Sequence, residues 1–146
     1  TLNIKKGYRA WGHELSTDET PFEAGLSFAI YWNKDFKGKD ALLEQKKNGI
    51  TKRLISLVMK NKQASLWGNE PIMSNGEIVG YTTSGAFSQT LNASIAMGYV
   101  NSLNGENITS EIIKNMNFSI LTNGCEYPAN AMITAPYDPK RSKILN

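Results

Sequence analysis

The sequence predicts a mainly β domain of the α+β class: a jelly-roll-like antiparallel β-barrel preceded by a short α/β segment. Two asparagine–glycine pairs support this prediction. Asn75-Gly76 and Asn123-Gly124 each separate two β-prone runs, as a two-residue hairpin turn requires. The third observation is residues 95–100, where bulky and small side chains alternate. At 146 residues, the chain is long enough for one domain with a real core.

The first 23 residues show no sustained period of 2 or 3.6 and predict a loop. Loops of this length are uncommon unless they are functional or dock on another element. Tyr8 and Trp11 lie beside glycines, which favours docking over a disordered tail.

Three regular elements are predicted to follow. The alternation over residues 26–33 predicts a strand. Residues 39–47 predict a helix that ends at Asn48-Gly49. The continuous apolar run over residues 53–59 predicts a strand covered on both faces, near the middle of the sheet.

A hairpin around Asn75-Gly76 is the clearest strand–turn–strand passage. After it, Gly80 and Gly85 bracket a β-prone segment, which indicates a bulge or a close backbone approach. In residues 95–100 one face carries bulky side chains and the other small ones, as expected for a strand pressed against another element.

The C-terminal third repeats this pattern. Asn104-Gly105 predicts a turn, and Thr109 or Ser110 is the expected cap of one helical turn. Residues 118–121 and 127–133 predict a second hairpin, and prolines then end the regular structure.

Composition excludes several classes of protein. The net charge is +3 with no basic tract, and only three arginines are present, so neither nucleic-acid binding nor a membrane partner is expected. One cysteine and one histidine cannot form a disulfide framework or a Cys/His zinc site. No apolar run is long enough for a membrane span or a signal peptide. We therefore expect a cytoplasmic domain, and the start at Thr1 suggests a piece of a longer polypeptide.

Three motifs in this order resemble the C-terminal part of the glycine cleavage T-protein family. They are YRAWGHELSTDETPFEAGL at residues 8–26, FKGKDALLEQKKNGITKRL at 36–54 and NGEIVGYTTSGAFSQTLNASIAMGYV at 75–100. The first motif is most similar to the fused forms, dimethylglycine and sarcosine dehydrogenases. The resemblance covers nearly all of the chain and weakens after about Asn101.

The resemblance implies a tetrahydrofolate-dependent one-carbon fold of three subdomains around a central pocket, the last being a jelly-roll-like barrel. Residues 1–50 are then a linker loop and strand–helix segment completing the folate-binding part, and residues 51–146 are the barrel. The earlier subdomains of the same parent protein are the expected partners and carry the catalytic aspartate. FAD is implied only in the parent protein, and a eukaryotic source implies the mitochondrial matrix.

One departure from the family pattern affects the folate contacts. Relatives read R-L-E-K-G before the first motif, and this chain has Asn3 in place of the arginine and Lys5 in place of the glutamate. The chain is therefore also compatible with a demethylase, a regulatory relative or an enzyme for another substrate, each built on the same scaffold.

The candidate cofactor-binding residues are Tyr8, Arg9, Trp11, Glu14 and Arg141; no catalytic residue or metal ligand is predicted. Tyr8 and Trp11 either stack on folate or plug the loop into the neighbouring subdomain. Arg9 either holds a glutamyl carboxylate of the folate tail or pairs with Glu14 or Asp18. Arg141 either reaches the pocket mouth, together with Lys140, or is solvated.

Three other features have a structural interpretation that outweighs the functional one. His13 lacks a nucleophile or metal partner nearby in sequence and is expected to be structural or on the surface. Residues 82–85 are expected to be a bulged strand rather than an anion site. Cys125 has no helix start or base nearby in sequence, so a catalytic thiolate is not expected.

Two functions remain open. The first is the C-terminal domain of an aminomethyltransferase or of a dimethylglycine or sarcosine dehydrogenase, which closes the folate pocket and is inactive alone. The alternative is a non-catalytic interaction or regulatory domain on the same scaffold.

Overall fold

A computed structural model describes residues 2–60, 64–140 and 142 of the chain. The helices are α1 (Leu2–Lys6), α2 (Lys39–Asn48) and α3 (Ser110–Asn115), with one 3-10 turn at Ser27–Ala29. The strands are β1 (Lys52–Met59), β2 (Pro71–Ser74), β3 (Glu77–Ser88), β4 (Ala93–Asn101), β5 (Phe118–Thr122) and β6 (Cys125–Met132). The described part of the chain is mainly β, as predicted. None of its helices is long and apolar enough to cross a lipid bilayer.

The strands form a closed antiparallel barrel in the order β1, β4, β3, β2, β5, β6. Ser56 of β1 shows the closure, because it pairs with Met97 of β4 on one side and Met132 of β6 on the other. The predicted barrel is therefore confirmed. The predicted strand over residues 53–59 is also confirmed, although a closed barrel has no middle strand.

Both asparagine–glycine turns are confirmed. Asn75 and Gly76 have φ angles of 51° and 82°, and Asn123 and Gly124 have φ angles of 51° and 73°. Two consecutive positive φ angles are what a type I′ hairpin turn requires. These turns set the register of β2 with β3 and of β5 with β6.

The alternation in β4 separates two apolar clusters. Ala96 and Val100 face the barrel interior, together with apolar side chains from the other strands and with Ile113 of α3. The opposite face of β4 packs outside the barrel against α1, and its bulky members are Ile95, Met97 and Tyr99. The prediction that this strand presses against another element is thus confirmed.

The N-terminal segment docks on the outer face of the barrel, as expected, but two predictions about its structure are wrong. It begins with helix α1, which is too short for its sequence to show a helical period; Ile4 anchors it in the outer cluster. Residues 26–33 do not form a strand. Local bonds such as Ala29 N–H to Leu26 O close a 3-10 turn instead, and the closed barrel offers this segment no free edge in the described structure.

Helix α2 is confirmed, and Gly49 ends it with a φ of 85° and an N–H bond to the carbonyl of Gln45. No residue of this fully described helix is buried, and Leu43 is nearly half exposed. Helix α3 is also confirmed. Thr109 is its N-cap, because its hydroxyl accepts a 3.2 Å bond from the N–H of Ile112.

Candidate functional site

The candidate site is the junction between the N-terminal turn, residues 8–15, and three consecutive hydroxyls of β3. We call Thr82, Thr83 and Ser84 the hydroxyl bulge. Glu14 lies at the centre of the junction and is only 1% exposed. A carboxylate this buried must be fully hydrogen-bonded to be tolerated.

Three donors satisfy the Glu14 carboxylate. Its Oε2 accepts a 2.9 Å bond from the N–H of Ala10. Its Oε1 accepts a 2.9 Å bond from the Thr83 hydroxyl and a second bond from the Ser84 hydroxyl. Glu14 therefore fixes the turn on β3 and is not exposed to solvent.

The bulge explains how neighbouring residues reach one oxygen atom. Consecutive side chains of a regular strand point to opposite faces. The register of β3 with β4 shifts between Thr82 and Ser84, and the extra residue redirects the side chains. The predicted bulged strand is confirmed, and its hydroxyls hold a carboxylate of the same chain.

A second carboxylate lies on the same bulge. The Thr82 hydroxyl donates to Oε2 of Glu70 and accepts a 2.9 Å bond from the Glu70 N–H. The main-chain N–H groups of Trp67 and Gly68 donate to this carboxylate over 2.6 and 3.1 Å. Burial opposes the charge of Glu70, but these bonds outweigh it and lower the pKa of its carboxyl.

Gly85 of β3 allows the segment before β2 to approach this strand closely. A Cβ atom built on Gly85 would lie 2.6 Å from Cβ of Leu66, so no larger residue fits without displacement. Gly68 also lies close to the bulge, because a Cβ there would lie 3.1 Å from the carbonyl of Thr83. The predicted close approach at Gly85 is confirmed.

The structure brings four of the five predicted site residues into one turn. Trp11 is 73% exposed and Tyr8 is partly exposed, whereas Glu14 is buried. The Arg9 guanidinium donates to the carbonyls of Ala24 and Gly7 over 3.0 and 2.6 Å, which ties the turn to residues 24–26. Arg141 lies outside the described residues.

The two residues that depart from the family pattern have structural contacts. The Asn3 carbonyl accepts a 2.9 Å bond from the N–H of Tyr8. The Lys5 ammonium donates to Thr90 over 2.8 Å and lies 5.1 Å from the ring centroid of Tyr137. Both residues therefore help to hold the N-terminal segment in place.

His13 and Cys125 are both exposed, and Cys125 is a free thiol. Among the described residues, no three histidine, cysteine, aspartate or glutamate side chains are grouped as metal ligands. The hydrogen bonds of Glu14 and Glu70 hold two loops in place.

Sequence reasoning missed three exposed aromatic side chains. Phe28, Tyr31 and Trp67 are 74%, 69% and 86% exposed. Phe28 and Tyr31 fall within residues 26–33, for which the alternation predicts a strand with these two residues on opposite faces. Trp67 lies beside Gly68, and a tryptophan–glycine pair like Trp11-Gly12 was the signal that would have identified its loop.

The chain is similar to several known proteins. The sequence profile of the family described as glycine cleavage T-protein C-terminal barrel domain matches residues 52–138. Mouse mitochondrial sarcosine dehydrogenase is 33% identical over 99% of this chain and 16% of its own length. Human mitochondrial dimethylglycine dehydrogenase is 43% identical over 68% of this chain and 12% of its own length.

The chain thus spans less than one-fifth of the length of these two relatives. A solved structure, the glycine cleavage system aminomethyltransferase T from Bartonella henselae, superimposes with a TM-score of 0.75 at 23% identity. The superposition covers 92% of this chain and 36% of that chain. At this identity the likeness shows the fold alone.

Proposed function

Because the chain belongs to the glycine cleavage T-protein C-terminal barrel family, we propose that it is the closing domain of a tetrahydrofolate-dependent one-carbon enzyme. The parent protein is then an aminomethyltransferase or a dimethylglycine or sarcosine dehydrogenase. The family match over residues 52–138 carries this proposal. The similarity to sarcosine dehydrogenase over 99% of the chain extends it to the N-terminal segment.

The exposed side chains of residues 21–48 support a role within a larger protein. A ten-residue helix is marginally stable in water without packing, yet α2 buries no residue in the described structure. The preceding 3-10 turn exposes Phe28, and Tyr31 follows it. Exposed apolar groups of this kind indicate an interaction surface. In our proposal, residues 1–50 complete the folate-binding part and pack against the earlier subdomains of the parent.

The turn that carries Tyr8 and Trp11 supports a role as one wall of the pocket. Both aromatic rings are accessible, and flat heteroaromatic rings stack on such faces. Arg9 holds the turn in place by donating to the carbonyls of Ala24 and Gly7. We assign Glu14 to the support of this wall, since its buried carboxylate accepts the main-chain N–H of Ala10.

The reaction itself is assigned to polypeptide outside this chain. FAD is expected only if the parent is a dehydrogenase, and it would bind outside residues 1–146. We propose a cytoplasmic location, or the mitochondrial matrix if the source is eukaryotic, by analogy with the mitochondrial mouse and human relatives.

Titration calorimetry tests the proposal. One wall of a pocket offers few contacts, so residues 1–146 should bind tetrahydrofolate no more tightly than about 1 mM, or about −4 kcal/mol. Micromolar binding by these residues alone would contradict an incomplete pocket. The polypeptide encoded by the full reading frame should bind at least about tenfold more tightly.

The contacts of Lys5 favour a second function, a non-catalytic interaction or regulatory domain. The ammonium group of Lys5 donates a hydrogen bond to the Thr90 hydroxyl and is not directed to a ligand. Under this alternative the full-length protein binds no tetrahydrofolate. The region of the gene before Thr1 would then encode neither a folate-domain aspartate nor an FAD fingerprint.

A further inference from the structure

A small cavity lies between helix α3 and the loop that connects β4 to it. We call this cavity the α3 pocket. Its volume is about 160 Å³, and its described lining residues all belong to residues 100–116. The pocket is therefore built from a different part of the chain than the N-terminal turn, and it does not rest on the proposed function.

The α3 pocket is lined mainly by apolar side chains. Val100, Ile108 and Ile113 line it and are buried in the barrel core. Leu103 and Ile112 also line it, and they are 56% and 37% exposed. The pocket thus extends from solvent-accessible side chains to buried ones, as a site with an entrance requires. Since apolar cavities of about 150 Å³ take up benzene, its volume suits one six-membered hydrocarbon ring.

Hydrogen bonds hold the loop side of the pocket in place. The N–H of Ser102 donates to the carbonyl of Thr51 over 2.8 Å, near the start of the loop. The N–H of Ile108 donates to the carbonyl of Ile50 over 2.7 Å, near its end. The N–H of Ile50 in turn donates to the Asn107 side-chain oxygen over 2.9 Å. The loop is therefore fixed at both ends to the segment before β1, as expected for a preformed site.

The helix side is held by a cap and by packing. The Thr109 hydroxyl accepts a 3.2 Å bond from the N–H of Ile112, a lining residue. Ile113, the next lining residue, is only 2% exposed. Both sides of the pocket are thus fixed within the chain. A hydrocarbon ring that covers Leu103 and Ile112 would remove apolar surface from water, which favours binding.

Glu106 determines the charge of the pocket. It is the charged residue among the described lining residues, and it is exposed to solvent. Its main-chain N–H donates to the Ser102 hydroxyl over 2.9 Å, which fixes the loop at this point. The guanidinium of Arg53 is bonded to the carbonyl of Ile108 over 3.4 Å and is not among these lining residues. A carboxylate at this position attracts a cationic ligand and repels an anionic one.

We propose that the α3 pocket binds a small primary amine that carries one apolar group of about the size of a benzene ring. The hydrocarbon part lies against Leu103 and Ile112, and the ammonium group lies beside Glu106. The volume and the apolar lining select the hydrocarbon, and the carboxylate selects the charge.

Methyl ¹H–¹³C NMR of residues 1–146 tests the site, with benzylamine as the ligand. Benzylamine should shift the methyl signals of Ile112 and Ile113 with one dissociation constant. We expect a value of about 1 mM or tighter, the range that ligands of this size reach. Ile95 lies on the outer face of β4 and serves as the internal reference, because its signal should not move.

A tryptophan introduced at the pocket should exclude the ligand. Ile112→Trp should weaken benzylamine binding at least about tenfold, since the indole occupies the volume that the ring needs. Ile78→Trp is the matched control, because Ile78 is 48% exposed on β3 and belongs to another part of the barrel. It should leave the dissociation constant unchanged. If Ile112→Trp fails to fold, Leu103→Trp fills the pocket from the loop side.

A neutral ligand of the same shape tests the charge. Benzyl alcohol should bind about two- to fivefold more weakly than benzylamine, the factor expected for an exposed charge pair, and benzoate should bind more weakly still. Glu106→Gln should abolish the difference between benzylamine and benzyl alcohol. Glu77→Gln, at an exposed position on β3, should retain it.

Three results would overturn the proposal. The first is the absence of saturable shifts at Ile112 and Ile113, and the second is unchanged binding in the folded tryptophan variants at positions 112 and 103. Equal affinities of the wild type for benzylamine and benzyl alcohol would exclude an amine as the ligand.

Discussion

The phenol of Tyr99 donates a 2.8 Å hydrogen bond to the main-chain carbonyl of Glu14. Tyr99 belongs to the outer face of β4, and burial is the main reason why the pKa of its phenol is raised. The ammonium of Lys52 lies 4.7 Å from the centroid of the same ring and is bonded to Glu19. One side chain of the barrel thus contacts or lies close to two parts of the N-terminal segment.

Tyr99→Phe should destabilise the protein by about 1–3 kcal/mol, because it leaves a buried carbonyl without its donor. The ring, its packing and its contact with Lys52 are retained. The free energy of unfolding in urea measures the effect. Tyr81→Phe is the control, since Tyr81 is exposed and should change stability by less than about 0.5 kcal/mol. Equal values for the two variants would rule out the contribution of this bond.

Glu70 should make stability depend on pH in acid. Its pKa is lowered in the folded state from an ordinary value of 4.5, so its contribution is present above pH 4.5 and is lost as the pH falls through the folded value. Glu70→Gln removes this contribution. The urea midpoint should therefore fall less between pH 6 and pH 3 in Glu70→Gln than in the wild type. Glu77→Gln, at an exposed position, should follow the wild-type curve, and identical curves for all three proteins would refute the assignment.

Two leucine variants should separate the barrel core from helix α2. Leu57 is fully buried in the interior, so Leu57→Ala should cost about 2–5 kcal/mol. Leu43 belongs to α2 and is nearly half exposed, so Leu43→Ala should cost less than about 0.5 kcal/mol. Thermal and urea unfolding of residues 1–146 measures both. A loss above about 1 kcal/mol for Leu43→Ala would mean that α2 packs within the chain itself.

The cap of α3 should depend on one hydroxyl. Thr109→Ala removes the acceptor for the N–H of Ile112 and should cost about 1 kcal/mol. Thr109→Ser should keep most of that stability, and Ser110→Ala should have little effect because the Thr109 hydroxyl is the cap. If Ser110→Ala were the costlier change, the cap would be assigned to the wrong residue.

Local signals in the sequence predicted most of the barrel. The Asn75-Gly76 and Asn123-Gly124 pairs predicted their turns because few residues other than asparagine and glycine adopt positive φ at little cost. The helix over residues 39–47 was predicted because its cap at Gly49 is also local. Alternation failed for residues 26–33, since a two-residue period indicates a strand only where a neighbouring edge is free to pair with it.

The candidate site was predictable only in part. Tyr8, Arg9, Trp11 and Glu14 were singled out for the chemistry of their side chains, and the fold keeps them in one turn because they are neighbours in sequence. The role of Glu14 was not predictable, because its partners Thr83 and Ser84 follow 69 and 70 residues later. Trp67 was missed for the same reason, since its link to the bulge runs through Glu70 and Thr82.

The sequence by itself determined the turns, most of the strands, the capped helices and the family resemblance, because each depends on residues close together in the chain. Only the tertiary structure decided that the barrel closes, that the N-terminal turn docks on β3 and that two carboxylates share one bulge. These features depend on contacts between distant segments. The neighbours of these residues in the sequence do not indicate their partners. The order in which the strands pair decides which distant residues come into contact.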